Sequence, residues 1–165
     1  IRSLLKKNPT PMLHLDINEV IREVLVLTTY EINRRGVAVH TELGSDLPLI
    51  LGDRVQLQQV VLNLIMNSLD AMTDITDRNR ELQIKSSSNA DCVLTQVLDC
   101  GHGLPAERTE FIFEPFFTTK KEGIGMGLAI SRLIVESHGG RLWATGNVPT
   151  GAAFQFTLPI GSEGA

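Results

Sequence analysis

Apolar residues follow a helical period in some stretches of the chain and a period of two in others. Asp16 is a candidate N-cap with Glu19 three residues later, and Gly36 ends the helix that they begin. A later helix is predicted over Leu128 to Ser137, with Gly139 suited to a left-handed C-cap. The apolar face of the first helix is predicted to hold Val20, Ile21, Val24, Leu27 and Thr28.

Strands are predicted where short apolar runs alternate with polar positions between turn residues. These strands cover Met12 to Leu15, Val37 to Leu43, Leu82 to Ser86, Cys92 to Leu98, Arg141 to Thr145 and Ala153 to Leu158. The segment through Pro48 is predicted to be a loop.

The helix predicted over Arg54 to Met72 carries the strongest polar signal, and Asp53 is its N-cap. Apolar residues cover most of its circumference, so it is predicted to be buried on nearly all sides. The exceptions fall within an arc of about 80°, at about 100° per residue. These are Gln59, Asn63, Asn67, Asp70 and Asp74. The stripe faces either solvent or a ligand. A solvent-facing stripe explains charged residues better than asparagines, because asparagine is a poor helix former and an unusual choice for a helix surface, so the two asparagines favour a ligand.

The composition and net charge of the chain narrow the classes of function that it can have. With 42% hydrophobic and 21% charged residues in 165, the chain has the make-up of one globular domain. A net charge of -4 gives no electrostatic footprint for nucleic acid. Cys92 and Cys100 are the only two cysteines and lie in or beside a predicted strand, so they are predicted to be reduced, half-buried thiols, which indicates a cytoplasmic setting for this part of a parent protein whose membrane anchoring stays open. Their spacing fits no metal motif. The sequence shows neither a signal peptide nor a membrane span, so direct membrane contact is not expected.

The segment Phe113 to Leu128 combines phenylalanines, two lysines and the triplet Gly123, Gly125 and Gly127 ahead of a helix. Glycines let backbone N–H groups approach phosphate oxygens, and the positive end of the following helix dipole favours the same anions. A flexible surface loop is the competing interpretation of the glycines alone.

Asp99 is predicted to stand at the end of a strand, followed by Gly101 and Gly103. A carboxylate there can accept a hydrogen bond from the exocyclic amine of adenine. The alternative is that Asp99 only caps a turn, as aspartates before glycine commonly do.

Four motifs in order resemble the catalytic ATP-binding domain of two-component sensor histidine kinases, in the Bergerat-type ATPase and kinase superfamily. They are NLIMNSLDA from Asn63, DCGHG from Asp99, FEPFFTTK from Phe113 and GIGMGL from Gly123. The resemblance runs from about Asp16 to Pro159. A fainter final motif is present at Gly151. The chain departs from the family there, because Ala152 and Ala153 stand where a threonine usually follows this glycine, so one minor pocket contact is expected to be missing.

The resemblance implies ATP and Mg²⁺ as cofactors, with Asn67 as the metal ligand and Asp99 bound to the adenine amine. It implies catalytic roles for Asn63, Asn67 and Lys120. The other nucleotide-binding residues that it implies are Asp70, Gly101, Gly103, Phe116, Thr119, Gly123, Gly125, Gly127 and Leu128, the glycines of the last motif contacting phosphates and Phe116 anchoring an ATP lid.

The implied reaction is transfer of the γ-phosphoryl group to a histidine on a separate dimerisation domain. His14, His40, His102 and His138 all lack the acidic neighbour of a phospho-acceptor. Asn63 replaces the glutamate that serves as general base in related hydrolases, which favours a kinase. Two alternatives remain open: a non-catalytic nucleotide-binding regulatory module and a Bergerat-type Ser/Thr kinase.

The implied fold is an α/β two-layer sandwich with a mixed β-sheet and helices on one face. Residues 1–11 are predicted to be the tail of a dimerisation helix and a linker, 12–160 the ATP-binding domain and 161–165 a disordered tail. Expected partners are the dimerisation domain of the same protein, in a full-length homodimer, and the receiver domain of a response regulator.

Overall fold

The computed structural model describes residues 11–104, 111–114 and 127–161. The elements run in the order β1 (Leu13–Leu15), α1 (Ile17–Arg34), β2 (Val37–Leu43), β3 (Ile50–Gly52), α2 (Arg54–Ala71), β4 (Arg80–Ser88), β5 (Cys92–Leu98), a 3-10 turn (Phe111–Phe113), α3 (Gly127–Ser137), β6 (Arg141–Gly146) and β7 (Ala152–Pro159).

Five strands form the main sheet in the order β2-β4-β5-β7-β6. β2 and β4 are parallel and the other neighbours are antiparallel, so the sheet is mixed as predicted. Alternate residues of the central strands are buried, including Leu82, Ile84, Val93 and Val97. The side chains of the three helices complete the core on that face, which confirms the predicted two-layer fold.

Helix α2 lies between α1 and α3 and is the central element of the helical layer. Asp53 caps it, accepting a hydrogen bond from Gln56 N at 3.2 Å. The apolar residues predicted to surround it are buried, among them Leu57, Leu64 and Leu69. The helix ends one residue earlier than predicted, with Met72 as its C-cap.

One predicted core position needs correction. Leu27 is 70% exposed because it lies at the edge of the buried face of α1 rather than within it. The loop through Pro48 is confirmed, but the strand β3 that follows it was not predicted, and it pairs with β1 in a small antiparallel sheet. At the end of the described residues, Gly161 N donates to Leu49 O at 2.8 Å.

Helices α2 and α3 are joined by a hydrogen bond at the end of the layer where α2 begins. The buried ring of His138 accepts from Asp53 N through Nε2 at 3.1 Å. Its Nδ1 lies 2.8 Å from Ile134 O, which fixes Nδ1 as the donor because a carbonyl oxygen can only accept. His138 is therefore a structural residue at the C-terminal end of α3.

Both cysteines are half-buried free thiols, as predicted. None of the helices in the described ranges combines the length and the apolar character that a membrane span requires.

Candidate nucleotide-binding site

Asp99 follows β5 directly and is 1% exposed. Its Oδ1 accepts two backbone hydrogen bonds, from Gly101 N at 2.9 Å and from Ala152 N at 3.2 Å. The first of these is the turn-capping interaction that the sequence allowed. The second ties the side chain to the start of β7, so the carboxyl group is held in one orientation.

The second oxygen of Asp99, Oδ2, is buried and has no hydrogen-bond partner among the residues that the structure describes. Burial raises the pKa of this carboxyl group, and the N–H groups of Gly101 and Ala152 oppose the rise. The Ser68 hydroxyl is close enough to oppose it too, yet its Oγ also has no partner within hydrogen-bonding geometry. A buried unsatisfied acceptor is costly in a folded protein, and a donor from a ligand would satisfy it.

Asn63 projects from α2 toward the beginning of α3. Its Nδ2 donates to Ser131 Oγ at 3.1 Å and to Gly127 O at 3.3 Å. Because both amide hydrogens are committed, the carboxamide is fixed and its oxygen faces away from these acceptors. Ser131, which the sequence analysis did not single out, is fully buried and orients this predicted site residue.

Asn67 and Asp70 continue the polar stripe along α2, and both are half-buried. The Asp70 carboxylate pairs with Arg35 Nη1 at 2.7 Å, which also makes it a link between α2 and the end of α1. Asn67 has a polar interaction as well. The described residues contain no group of three or more His, Cys, Asp or Glu side chains that could hold a metal.

The turn after Asp99 needs glycine because its backbone is packed against other backbone. A Cβ on Gly101 would lie 2.5 Å from Ala71 O, at the end of α2. Gly151 has φ +106°, and a Cβ there would overlap the carbonyl oxygen of Asp99. Gly103 lies against Gly151 in turn. These contacts bring the Asp99 turn, the end of α2 and the start of β7 together.

Side chains outside the four motifs hold the backbone carbonyls of the same turn. Asn147 Nδ2 donates to Asp99 O at 2.8 Å. Arg78 donates to Cys100 O through Nε at 3.1 Å and Nη2 at 2.8 Å, and to Gly101 O at 3.2 Å. Sequence reasoning missed both residues, because nothing in the local pattern indicates contacts across such separations.

The predicted lid is described only at its ends. Phe113 is buried and makes an edge-to-face contact with Phe154 at 6.5 Å, and the guanidinium of Arg132 lies 4.5 Å from the Phe113 ring. At the other end, Gly127 contacts Asn63, and Leu128 is half-buried against the core. The predicted residues that lie outside the described ranges are Phe116, Thr119, Lys120, Gly123 and Gly125.

Residues 52–162 match the model of the family described as histidine kinase-, DNA gyrase B-, and HSP90-like ATPase. Sensor histidine kinase TmoS of Ectopseudomonas mendocina is 38% identical over 97% of this chain and 17% of TmoS. Sensor protein FixL of Bradyrhizobium diazoefficiens is 40% identical over 89% of this chain and 29% of FixL. The chain thus spans less than a third of the length of these two relatives.

The catalytic domain of histidine kinase ThkA, solved without nucleotide, superposes with a TM-score of 0.82 at 34% identity, covering 92% of this chain and 97% of that domain. ThkA has also been solved in complex with the response regulator protein TrrA, at 32% identity, a TM-score of 0.78 and coverage of 93% and 43%. Full-length ShkA, solved with AMPPNP, is 28% identical with a TM-score of 0.78 over 93% of this chain and 32% of ShkA. The motifs, the fold and these matches together establish that the chain belongs to the family of histidine kinase-, DNA gyrase B- and HSP90-like ATPases.

Proposed function

We propose that this domain binds Mg²⁺-ATP beside α2 and transfers the γ-phosphoryl group to a histidine of a separate dimerisation domain. The observation that carries the proposal is the buried Oδ2 of Asp99, an acceptor without a partner. The 6-amino group of adenine supplies the donor that this oxygen lacks. The polar stripe of α2 extends from the same place toward the N-terminus of α3.

Each part of the nucleotide has a candidate partner in this arrangement. Adenine lies against Asp99 and the Gly101 backbone. Asn67 offers a neutral carboxamide oxygen to a Mg²⁺ ion that the phosphates also hold, and this ion neutralises charge on the phosphates. The phosphates lie toward Gly127, where the N-terminal end of α3 favours anions.

A kinase is favoured over a hydrolase by the state of Asn63. Its amide donates to Ser131 Oγ and Gly127 O, and a carboxamide cannot accept a proton from water at neutral pH. The domain therefore contributes position and charge neutralisation, and the nucleophile is a nitrogen of the partner's histidine. That nitrogen forms a bond to the γ-phosphorus as the bond to the ADP oxygen breaks.

The expected partners follow from the same reaction. The dimerisation domain of the same protein supplies the histidine in a homodimer, and a response regulator receives the phosphoryl group. The ThkA complex with TrrA supports the second partner by similarity. The ShkA complex with AMPPNP supports an adenine nucleotide in the same way.

The test combines this chain with the dimerisation domain of its own protein and ATP labelled at the γ-phosphate. Label is expected on the dimerisation domain, lost in acid and retained in alkali, because a phosphoramidate hydrolyses in acid. An acid-stable product would indicate Ser/Thr phosphorylation instead. Binding of ATP without transfer would indicate the non-catalytic regulatory module.

A further inference from the structure

Arg78 lies in the connection between α2 and β4, outside all four motifs, and its guanidinium group reaches the turn that follows Asp99. Three of its N–H groups point at two successive carbonyls, Cys100 O and Gly101 O, at 2.8 to 3.2 Å. A fourth contact goes to the exposed carboxylate of Asp77 at 2.9 Å. The Arg78 side chain is about one-third exposed, at 32%, so its hydrogen bonds are only partly open to water.

The rest of this turn is also held from outside. Asn147 donates to Asp99 O, Thr150 Oγ1 lies 3.4 Å from Cys100 O, and the Cys100 thiol lies 3.3 Å from Asn79 O. The backbone that follows β5 is thus fixed at three consecutive carbonyls. Against this background, Asp99 Oδ2 is left without a partner.

We propose that Arg78 is a positioning residue for base recognition, which fixes the Asp99 turn so that Asp99 Oδ2 meets the 6-amino group of the purine. The inference rests on the proposed binding of ATP and adds a residue that determines its base specificity. Arg78 acts through Asp99 and Gly101 and does not itself touch the nucleotide.

The geometry of the side chain explains why arginine suits this position. A guanidinium group is planar and presents its donors in a fixed fork, so one side chain can hold two carbonyls at a set separation. Lysine presents a single ammonium on a flexible stem and can hold the same carbonyls less rigidly. A binding group that is already ordered costs less conformational entropy when a ligand arrives.

A purely structural role would predict a different result. If Arg78 only joined the α2–β4 connection to the turn, its loss would lower the free energy of unfolding and weaken all nucleotides alike. The positioning role predicts that a base contact is lost selectively. The ratio of affinities for ATP and for purine riboside triphosphate, which lacks only the 6-amino group, separates the two roles.

The experiment measures Kd for both nucleotides, with Mg²⁺, by calorimetry on the 165-residue chain and its variants. Wild-type protein is expected to prefer ATP by about 10- to 150-fold, the usual strength of a hydrogen bond to a charged group. In Arg78→Gln this preference is expected to fall at least about fivefold, with the affinity for purine riboside triphosphate nearly unchanged. Arg78→Lys is expected to give an intermediate ratio, and Asp77→Asn, which removes only the exposed partner of Arg78, the wild-type ratio.

The outcomes distinguish this inference from the proposed function. A wild-type protein that does not prefer ATP overturns both, because Asp99 then has no adenine contact to position. A wild-type preference that survives intact in Arg78→Gln and Arg78→Lys overturns the inference alone. Equal weakening of both nucleotides in the two variants also overturns it, since that is the structural result.

Discussion

Replacing Asp99 by asparagine separates the stability of the fold from recognition of the base. The substitution keeps the size of the side chain and an oxygen that can accept from Gly101 N and Ala152 N. It removes a buried negative charge whose Oδ2 has no partner. Because such a group costs about 1–3 kcal/mol, and the new amide hydrogens are themselves unsatisfied, we expect the variant to be as stable as wild type or up to about 2 kcal/mol more stable at pH 7.

The difference in the free energy of unfolding between Asp99→Asn and wild type should change with pH in a defined direction. Burial raises the pKa of Asp99 in the folded state above the ordinary aspartate value of 3.8, so the folded protein binds the extra proton more tightly. Wild-type stability therefore declines as pH rises from 3.8 through the raised pKa, whereas asparagine does not titrate. The advantage of Asp99→Asn should be absent at pH 3 and reach its full size above the raised pKa.

Nucleotide binding should change in the opposite direction. Asparagine can turn an N–H group toward the adenine amine, and two donors cannot bond. Loss of a hydrogen bond to a charged acceptor costs about 1.5–3 kcal/mol, which weakens ATP binding by about 10- to 150-fold.

Urea unfolding followed by the fluorescence of Trp143, the single tryptophan, measures stability, and calorimetric titration with Mg²⁺-ATP measures affinity. Asp91→Asn is the matched control, because Asp91 lies exposed in the turn before β5. Unchanged affinity in Asp99→Asn would refute the adenine contact. A stability difference that is the same at pH 3 and pH 7 would refute the buried carboxylate as its source.

Three further substitutions test other parts of the site. Gly151→Ala should lower the free energy of unfolding, measured in urea, by about 2 kcal/mol or more, because φ at this position is +106° and the added Cβ would collide with the backbone of Asp99. Gly146→Ala is the control and should cost less than about 1 kcal/mol, because no atom lies within 4 Å of its added Cβ. Asn63→Asp should weaken ATP binding about tenfold in calorimetry, since a carboxylate cannot donate to Ser131 Oγ and repels phosphate. Asn67→Ala should abolish phosphoryl transfer to the histidine of the proposed partner domain while circular dichroism shows an intact fold. Normal transfer would refute the proposed role of Asn67 in Mg²⁺ binding.

The sequence predicted elements best where the local pattern was strong. The strands over Val37–Leu43 and Cys92–Leu98 were predicted with the observed limits, because alternation and turn residues mark both ends. The strand Ile50–Gly52 was missed since three residues show no period, and it exists only through its pairing with Leu13–Leu15. Leu27 was wrongly predicted to be buried. Periodicity shows on which side of the helix a residue lies, but it does not show how far the surface that packs against that side extends.

The residues of the candidate site also fall into those that a local pattern indicates and those that it does not. Asn63, Asp99 and Gly101 were selected as candidate site residues from the sequence, because each belongs to a short motif whose spacing reflects local geometry. The residues that hold them could not: Ser131 lies 68 positions from Asn63, and Arg78 lies 22 positions from Cys100. Such partners depend on how helices and connections pack, which no single stretch of sequence encodes.

Hydrogen bonds at two points between α2 and α3 restrict how this domain can admit a ligand. Asp53 N is bonded to His138 where α2 begins, and Asn63 is bonded to Ser131 and Gly127 ten residues further along. Those points are about 15 Å apart on α2, at 1.5 Å per residue. Separating the helices at either end would break hydrogen bonds at one of these points. We therefore expect α2 and α3 to move as one rigid unit and to keep their relative position when ATP binds.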